Sequence, residues 1–210
     1  MPRTSYSFAN LRSHTLEMRA MSASLMQAAR PALADAFGLI DSYVAQIEAL
    51  PVGLDRNVRL LAACKCSNHL YAAIQLVEAG MLVDAMLCAR NALEVVAFHW
   101  LVILDPSAAQ QFADHEKLRP VDVRKRLGGL GVDIRPLAEL YSNYSAATHV
   151  GRDSDNVHST PVSENAWELN FGGHHAPARQ GDLLHLIPTL AHLFLTPIMI
   201  ATTGPAPSSV

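Results

Sequence analysis

The 210-residue chain is half hydrophobic and only 17% charged, which excludes a disordered polyelectrolyte and supplies apolar side chains for one sizeable core without requiring a second domain. A formal net charge of −3 and an isoelectric point near 6.3 exclude a broad basic track for a nucleic-acid backbone, so any such contact has to be local. A single cytoplasmic domain over residues 1–210 is expected, with no DNA partner and no membrane anchor.

Residues 15–50 read as N-terminal helices. Met18, Met21 and Leu25 share a face ahead of Pro31, whose ring removes a backbone donor and clashes one turn back, so a break or kink is predicted there. Beyond it Leu33, Phe37, Ile40, Val44 and Ile47 step by four and three, the stripe of an amphipathic helix that Pro51 ends. A central bundle over 54–150 opens after Pro51-Val52-Gly53 with a helix from about Asp55 to Glu78. It buries Ala63, Cys66, Leu70, Ile74 and Val77, and Gly80 suits its C-cap.

The segment from Met81 to Leu104 is apolar around nearly its whole circumference, as the central helix of a bundle is, and Asp105-Pro106 stops it. Its Asp84, Arg90, Asn91, Glu94 and His99 argue for a buried helix and against a membrane span, as do His185, Pro188, His192 and Pro197 in the last apolar run. Short helices are predicted from Ser107 to Lys117 and from Pro120 to Leu127. In the second, Arg124, Lys125 and Arg126 read as a solvated face, followed by a turn at Gly128, Gly129 and Gly131. Pro136 opens a helix with Leu137, Tyr141, Tyr144 and Thr148 on one side, which runs out at His149-Val150-Gly151.

Residues 151–180 are rich in Ser, Asp, Asn, Gly, Pro and His and read as a long loop. It carries at most one short hairpin, around Trp167, Leu169 and Phe171. A C-terminal helix over 181–202 is predicted with Asp182 as its N-cap. The predicted fold is therefore all-α, a helical bundle with a long loop or short hairpin before the last helix.

Three cysteines, Cys64, Cys66 and Cys88, fall in helical stretches, and without a signal peptide they read as reduced core thiols. Cys64 and Cys66, two apart, point about 200° from one another on a helix and share neither a metal nor a disulfide. No cofactor motif is present: the glycines near 128–131 lack the Lys-Ser/Thr pair of a phosphate loop.

Chemistry-bearing residues form three groups. Arg90 and Glu94 lie four apart on the most apolar helix, where charges persist only when paired with one another or used by a ligand. Ser145 and His149 lie one turn apart, with Ser142 nearby, and His149 sits at a helix end where an imidazole serves either as acid–base catalyst or as a cap. The histidines are the third group. His158, His174 and His175 occupy the long loop, and His185 and His192 share a face of the last helix, but neither H-E-x-x-H nor paired E-x-x-H is present. No metal site is assigned, and a histidine-based metal-binding bundle stays as an alternative.

The R-N-A-L-E run at Arg90–Glu94, with W-L-V-I-L-D-P after it, and the Y-S-N-Y-S-A-A-T-H run at Tyr141–His149 resemble an uncharacterised bacterial helical family. That family in turn resembles the HEPN superfamily of helical bundles in defence and toxin–antitoxin systems, and the resemblance covers about residues 54–158. It implies a metal-independent ribonuclease with an arginine, a polar residue after it, and a histidine five to seven positions after the arginine. Arg152, Asp153 and His158 satisfy that spacing. RNA self-cleavage needs a base for the 2′-hydroxyl and a cation for the developing phosphorane charge, which these residue types supply. The resulting expectation is a groove with Arg152, His158 and His149 as catalytic residues and Arg90, Glu94 and Ser145 as binding residues. RNA is the expected partner and a homo-oligomer the expected assembly, with a non-catalytic binding or oligomerisation module as the other alternative.

Overall fold

The computed structural model describes residues 8–114, 118–148, 159–163, 166–169 and 176–203. Among them are seven helices: α1 (Phe8–Glu48), α2 (Leu54–Glu78), α3 (Leu82–Leu104), α4 (Ser107–Ala113), α5 (Pro120–Gly129), α6 (Arg135–Thr148) and α7 (Pro177–Thr203). Two short strands, β1 (Ser159–Ser163) and β2 (Ala166–Leu169), pair antiparallel between α6 and α7, with a register shift between Pro161 and Ser163. The architecture is an all-α bundle with a small hairpin before its last helix, as the sequence pattern predicts.

α3 is the centre. It runs antiparallel to α2 through a tight turn and touches α5, α6 and α7, while α1 lies against α2 and α7. α3 has the length and apolar character of a membrane span, but half of its apolar window is buried by the other helices. Leu82, Ala85, Ala89, Ala92, Val96 and Leu101 carry α3 into the core, small residues on its first half letting neighbouring helices approach closely.

The α2–α3 turn is built by glycine. Gly80 adopts φ 75°, Gly80 N–H donates to Val77 O at 3.0 Å, and Met81 N–H donates to Leu76 O at 2.8 Å. These two bonds satisfy carbonyls that the end of α2 leaves without helical partners. The same device recurs after α5, where Gly131 at φ 84° is followed by Val132 N–H donating to Leu127 O at 3.1 Å.

Three expectations are corrected. Pro31 does not divide the N-terminal region: α1 runs unbroken through it, because its buried stripe from Met18 and Leu33 to Ile47 is held by α2 and α7. Pro31 and Gln27 are both exposed, so water can take the carbonyl that the ring leaves without a donor. The last helix begins at Pro177, and Asp182 lies inside it as an exposed residue, because Pro177 itself suits a first helical turn. Cys64 is exposed on α2, whereas Cys66 is fully buried.

Two polar clasps cross the core. Gln180 on α7, fully buried, donates through Nε2 to Ser22 Oγ on α1 and to Val77 O on α2, each at 2.8 Å. His99 on α3 is also fully buried. Its Nε2 lies 3.0 Å from Tyr43 Oη, and its ring stacks on Phe194 with centroids 4.1 Å apart. Arg59 donates to the same Tyr43 hydroxyl at 3.0 Å and reaches Asp55 at 3.3 Å, so a polar chain leads from the α2 surface into the centre.

Candidate functional site

The face where α3 meets α5 and α6 collects charge. Arg90 on α3 donates from Nη2 to Tyr141 Oη on α6 at 2.6 Å, and its guanidinium carbon lies 4.8 Å from the Tyr141 ring centroid. Arg124 on α5 places its guanidinium carbon 4.1 Å from the same ring. One phenol thus takes two cations, an arrangement stabilised by the negative face of the ring and by an oxygen that accepts from arginine. Glu94, one turn along α3, lies 3.6 Å from Arg90 Nη2, with the two side chains 20% and 28% exposed. Arg90 is therefore shared between phenol and carboxylate.

Glu94 also faces a cleft of about 450 Å³ between α2, α3, α4 and the start of α5. Its polar lining comes from Lys65 and His69 on α2 and from Asn91 and Glu94 on α3. Its walls are apolar, with Phe98 and Phe112 meeting at 5.2 Å between ring centroids and 43° between planes. Lys65 Nζ stands 5.6 Å from the Phe112 centroid. Burial lowers the pKa of His69, Lys65 lowers it further, and Glu94 acts against both, so the imidazole is neutral at pH 7. A smaller pocket on the other side of Glu94 is lined by Arg124, Leu137 and Tyr141. Of these ionised groups, three are cations and one is an anion, which leaves an excess of two positive charges around the carboxylate.

Local sequence dictates this convergence. Lys65 and His69 are four apart on α2, and Asn91 and Glu94 three apart on α3, so each pair shares a helix face. α5 is held against the end of α3 by Arg126, which contacts Asp105 and Gln111 and donates to Ser107 Oγ at 3.2 Å. Asp105 also accepts from the Ser107 backbone N–H at 3.1 Å and fixes the start of α4, the helix that carries Phe112.

The predicted binding residues fall as follows. Arg90 and Glu94 are together, Glu94 lining the cleft and Arg90 beside it at 3.6 Å, and Ser145 lies one turn beyond Tyr141 on α6 with its Oγ buried. His149, Arg152 and His158, like His174 and His175, lie outside the described residues. The reading of Arg124, Lys125 and Arg126 as a solvated face is corrected. Only Lys125 is exposed, because α5 turns Arg124 onto Tyr141 and Arg126 onto Asp105. His185 and His192 are both exposed on α7, and His192 Nδ1 is 2.7 Å from Pro188 O. Among the described residues no three His, Cys, Asp or Glu side chains converge as a metal-ligand set. Lys65 and His69 were not singled out in the sequence, and Asn91 and Arg124 were noted there without a role in the site, although the i, i+4 spacing of Lys65 with His69 and the i, i+3 spacing of Asn91 with Glu94 were a usable signal.

No family model, no curated protein and no solved structure matches this chain.

Proposed function

We propose that this chain is a HEPN-like, RNA-directed helical protein in which Arg90 and Arg124 receive an RNA phosphate. In this reading Arg152, His158 and His149 carry metal-independent cleavage, with Ser145 and Glu94 ordering the groove. The observation that carries it is the meeting of two guanidiniums from different helices on Tyr141 beside an open cleft. Guanidinium forks match phosphate geometry, and a pair of them placed locally reconciles RNA binding with an acidic chain. His149 follows α6, the helix that carries Tyr141, by one position in the sequence. Three cysteines without a disulfide fit the cytoplasm.

The test is cleavage of single-stranded RNA by purified protein in the presence of chelator, with His158→Ala, His149→Ala and Arg152→Ala as separate variants. Loss of cleavage in the histidine variants with retained binding supports the reading. Arg124→Ala is expected to weaken binding across sequences and to lower the salt slope by about one. Cleavage by all three active-site variants at the parental rate would end the catalytic assignment.

A second reading, self-association, is favoured by one surface. A groove of about 710 Å³ between α1 and α2 presents Met26, Phe37 and Tyr71, the last 60% exposed. Light scattering that reports a dimer, converted to a monomer by Tyr71→Glu, is the result this reading requires.

A further inference from the structure

The cleft beside Glu94 has the attributes of a small-molecule site: about 450 Å³ of space, aromatic walls and a few polar groups in its lining. Its hydrogen-bonding chemistry narrows the ligand. Among the described residues Glu94 is the only carboxylate in the lining, and the nearest cationic nitrogen to it, on Arg90, is 3.6 Å away, beyond hydrogen-bond length. Its oxygens therefore keep lone pairs for a ligand, and an ionised carboxylate accepts only. Asn91, on the same side of α3, offers an amide with both donor and acceptor capacity, and neutral His69 offers one N–H.

A flat heterocycle that stacks on Phe98 or Phe112 must then present two adjacent donors to Glu94 and one acceptor to Asn91 or His69. Among the four RNA bases only guanine does so, through N1–H and the N2 amino group beside the O6 carbonyl. Adenine and cytosine each set a ring acceptor next to their amino donor, and uracil has a single donor between two carbonyls. We infer that the cleft between α2, α3, α4 and α5 is a nucleobase pocket that selects guanine, with Glu94 accepting from N1 and N2 and Asn91 donating to O6. The excess positive charge supplied by Lys65 in the cleft lining, by Arg124 in the adjoining small pocket and by Arg90 beside Glu94 suits the attached phosphate. An unstacked base read on its Watson–Crick edge and stacked on an aromatic ring is the general mode of single-stranded RNA recognition. The inference deepens the RNA reading above and rests on it for the biological ligand, while the pocket itself is testable with mononucleotides.

The experiment is calorimetric titration of the full chain with GMP, AMP, CMP, UMP, IMP and inorganic phosphate. GMP is expected to bind at least about tenfold tighter than the other five. IMP is the decisive comparison, since it lacks only the N2 amino group and leaves the protein unaltered. Glu94→Gln, which replaces an acceptor with a donor, is expected to remove the preference for GMP over IMP. Leu61→Trp, at an exposed position on the cleft wall, is expected to weaken GMP by about tenfold or more with an unchanged melting temperature. Equal affinity for GMP and IMP, binding by phosphate alone, or no nucleotide binding would overturn the pocket. The two readings separate cleanly: RNA cleavage without nucleotide binding removes the guanine pocket and spares the RNA assignment. GMP binding without RNA binding removes the RNA assignment and leaves a free-nucleotide site.

Discussion

Arg90 donates to the Tyr141 hydroxyl at 2.6 Å, a polar bond that ties α3 to α6. Tyr141→Phe keeps the ring under the guanidinium and deletes the acceptor. Hydrogen bonds to charged groups contribute about 1.5–3 kcal/mol, and with Arg90 one-fifth exposed the lower end applies. A urea midpoint lowered accordingly, at unchanged slope, is the expected result. No change in midpoint would mean that water replaces the phenol at no cost.

The buried imidazole predicts an acid-sensitive fold. Burial, reinforced by Arg59, pushes the His99 pKa down from its ordinary 6.5 to about 3. Between those values the unfolded chain binds a proton that the folded chain refuses, so stability is full above about pH 6.5 and declines as acid is added. The decline is at most about 1.4 kcal/mol per pH unit. His69, lowered in the same direction by its own burial, adds to the slope and is unaffected by changes at 99. Denaturation midpoints from pH 7 to pH 5 are expected to fall less steeply in His99→Leu than in the parent, and parallel slopes would remove His99 as the source.

Two glycines should respond to alanine with opposite signs. Gly80 sits at φ 75° in the α2–α3 turn, where a Cβ costs about 1–2 kcal/mol. Gly129 closes α5 with open space around its missing side chain and no left-handed backbone. Gly129→Ala therefore gains about 0.5–1 kcal/mol by narrowing the unfolded ensemble. Thermal melts of Gly80→Ala and Gly129→Ala should move in opposite directions.

Thiol chemistry distinguishes the cysteines. Cys64 is exposed, Cys88 is half-buried with its pKa raised by burial and by Asp84, and Cys66 is fully buried with its pKa pushed up to about 12. Labelling of native protein with a disulfide reagent should show one fast thiol, absent in Cys64→Ser. A fast phase that survives in this variant would place the reactive group elsewhere.

Periodicity revealed the helices because most of them bury one stripe: in α1 Leu33, Ile40 and Ile47 of the predicted stripe are buried and Phe37 and Val44 partly so, with Ala36 and Tyr43 completing the buried face. It failed at Pro31 and Asp182, where a local rule competes with tertiary packing and loses: neighbours on either side keep α1 continuous through the proline, and α7 has already begun at Pro177. At the candidate site, Arg90 and Glu94 were legible as a pair because both lie on one helix. Tyr141 and Arg124 belong to other helices, and no spacing in the sequence reports that three helices meet there. Charge alone suggested that Arg124 was solvated, whereas the packing of α5 turns it inward. The Tyr43–His99–Arg59 chain was hidden for the same reason, its members being separated by 16 and 56 positions.

The clasp made by Gln180 has a consequence in time. A ribosome releases Ser22 and Val77 long before Gln180, which follows Ser22 by 158 positions. Through most of synthesis the inner face of α1 has α2 but not α7 to cover it, and those apolar side chains must wait for the last helix or be shielded by another protein. Long-range closure of this kind slows folding, so a nascent chain halted before residue 177 should present a sticky α1 to chaperones, whereas the finished chain should not.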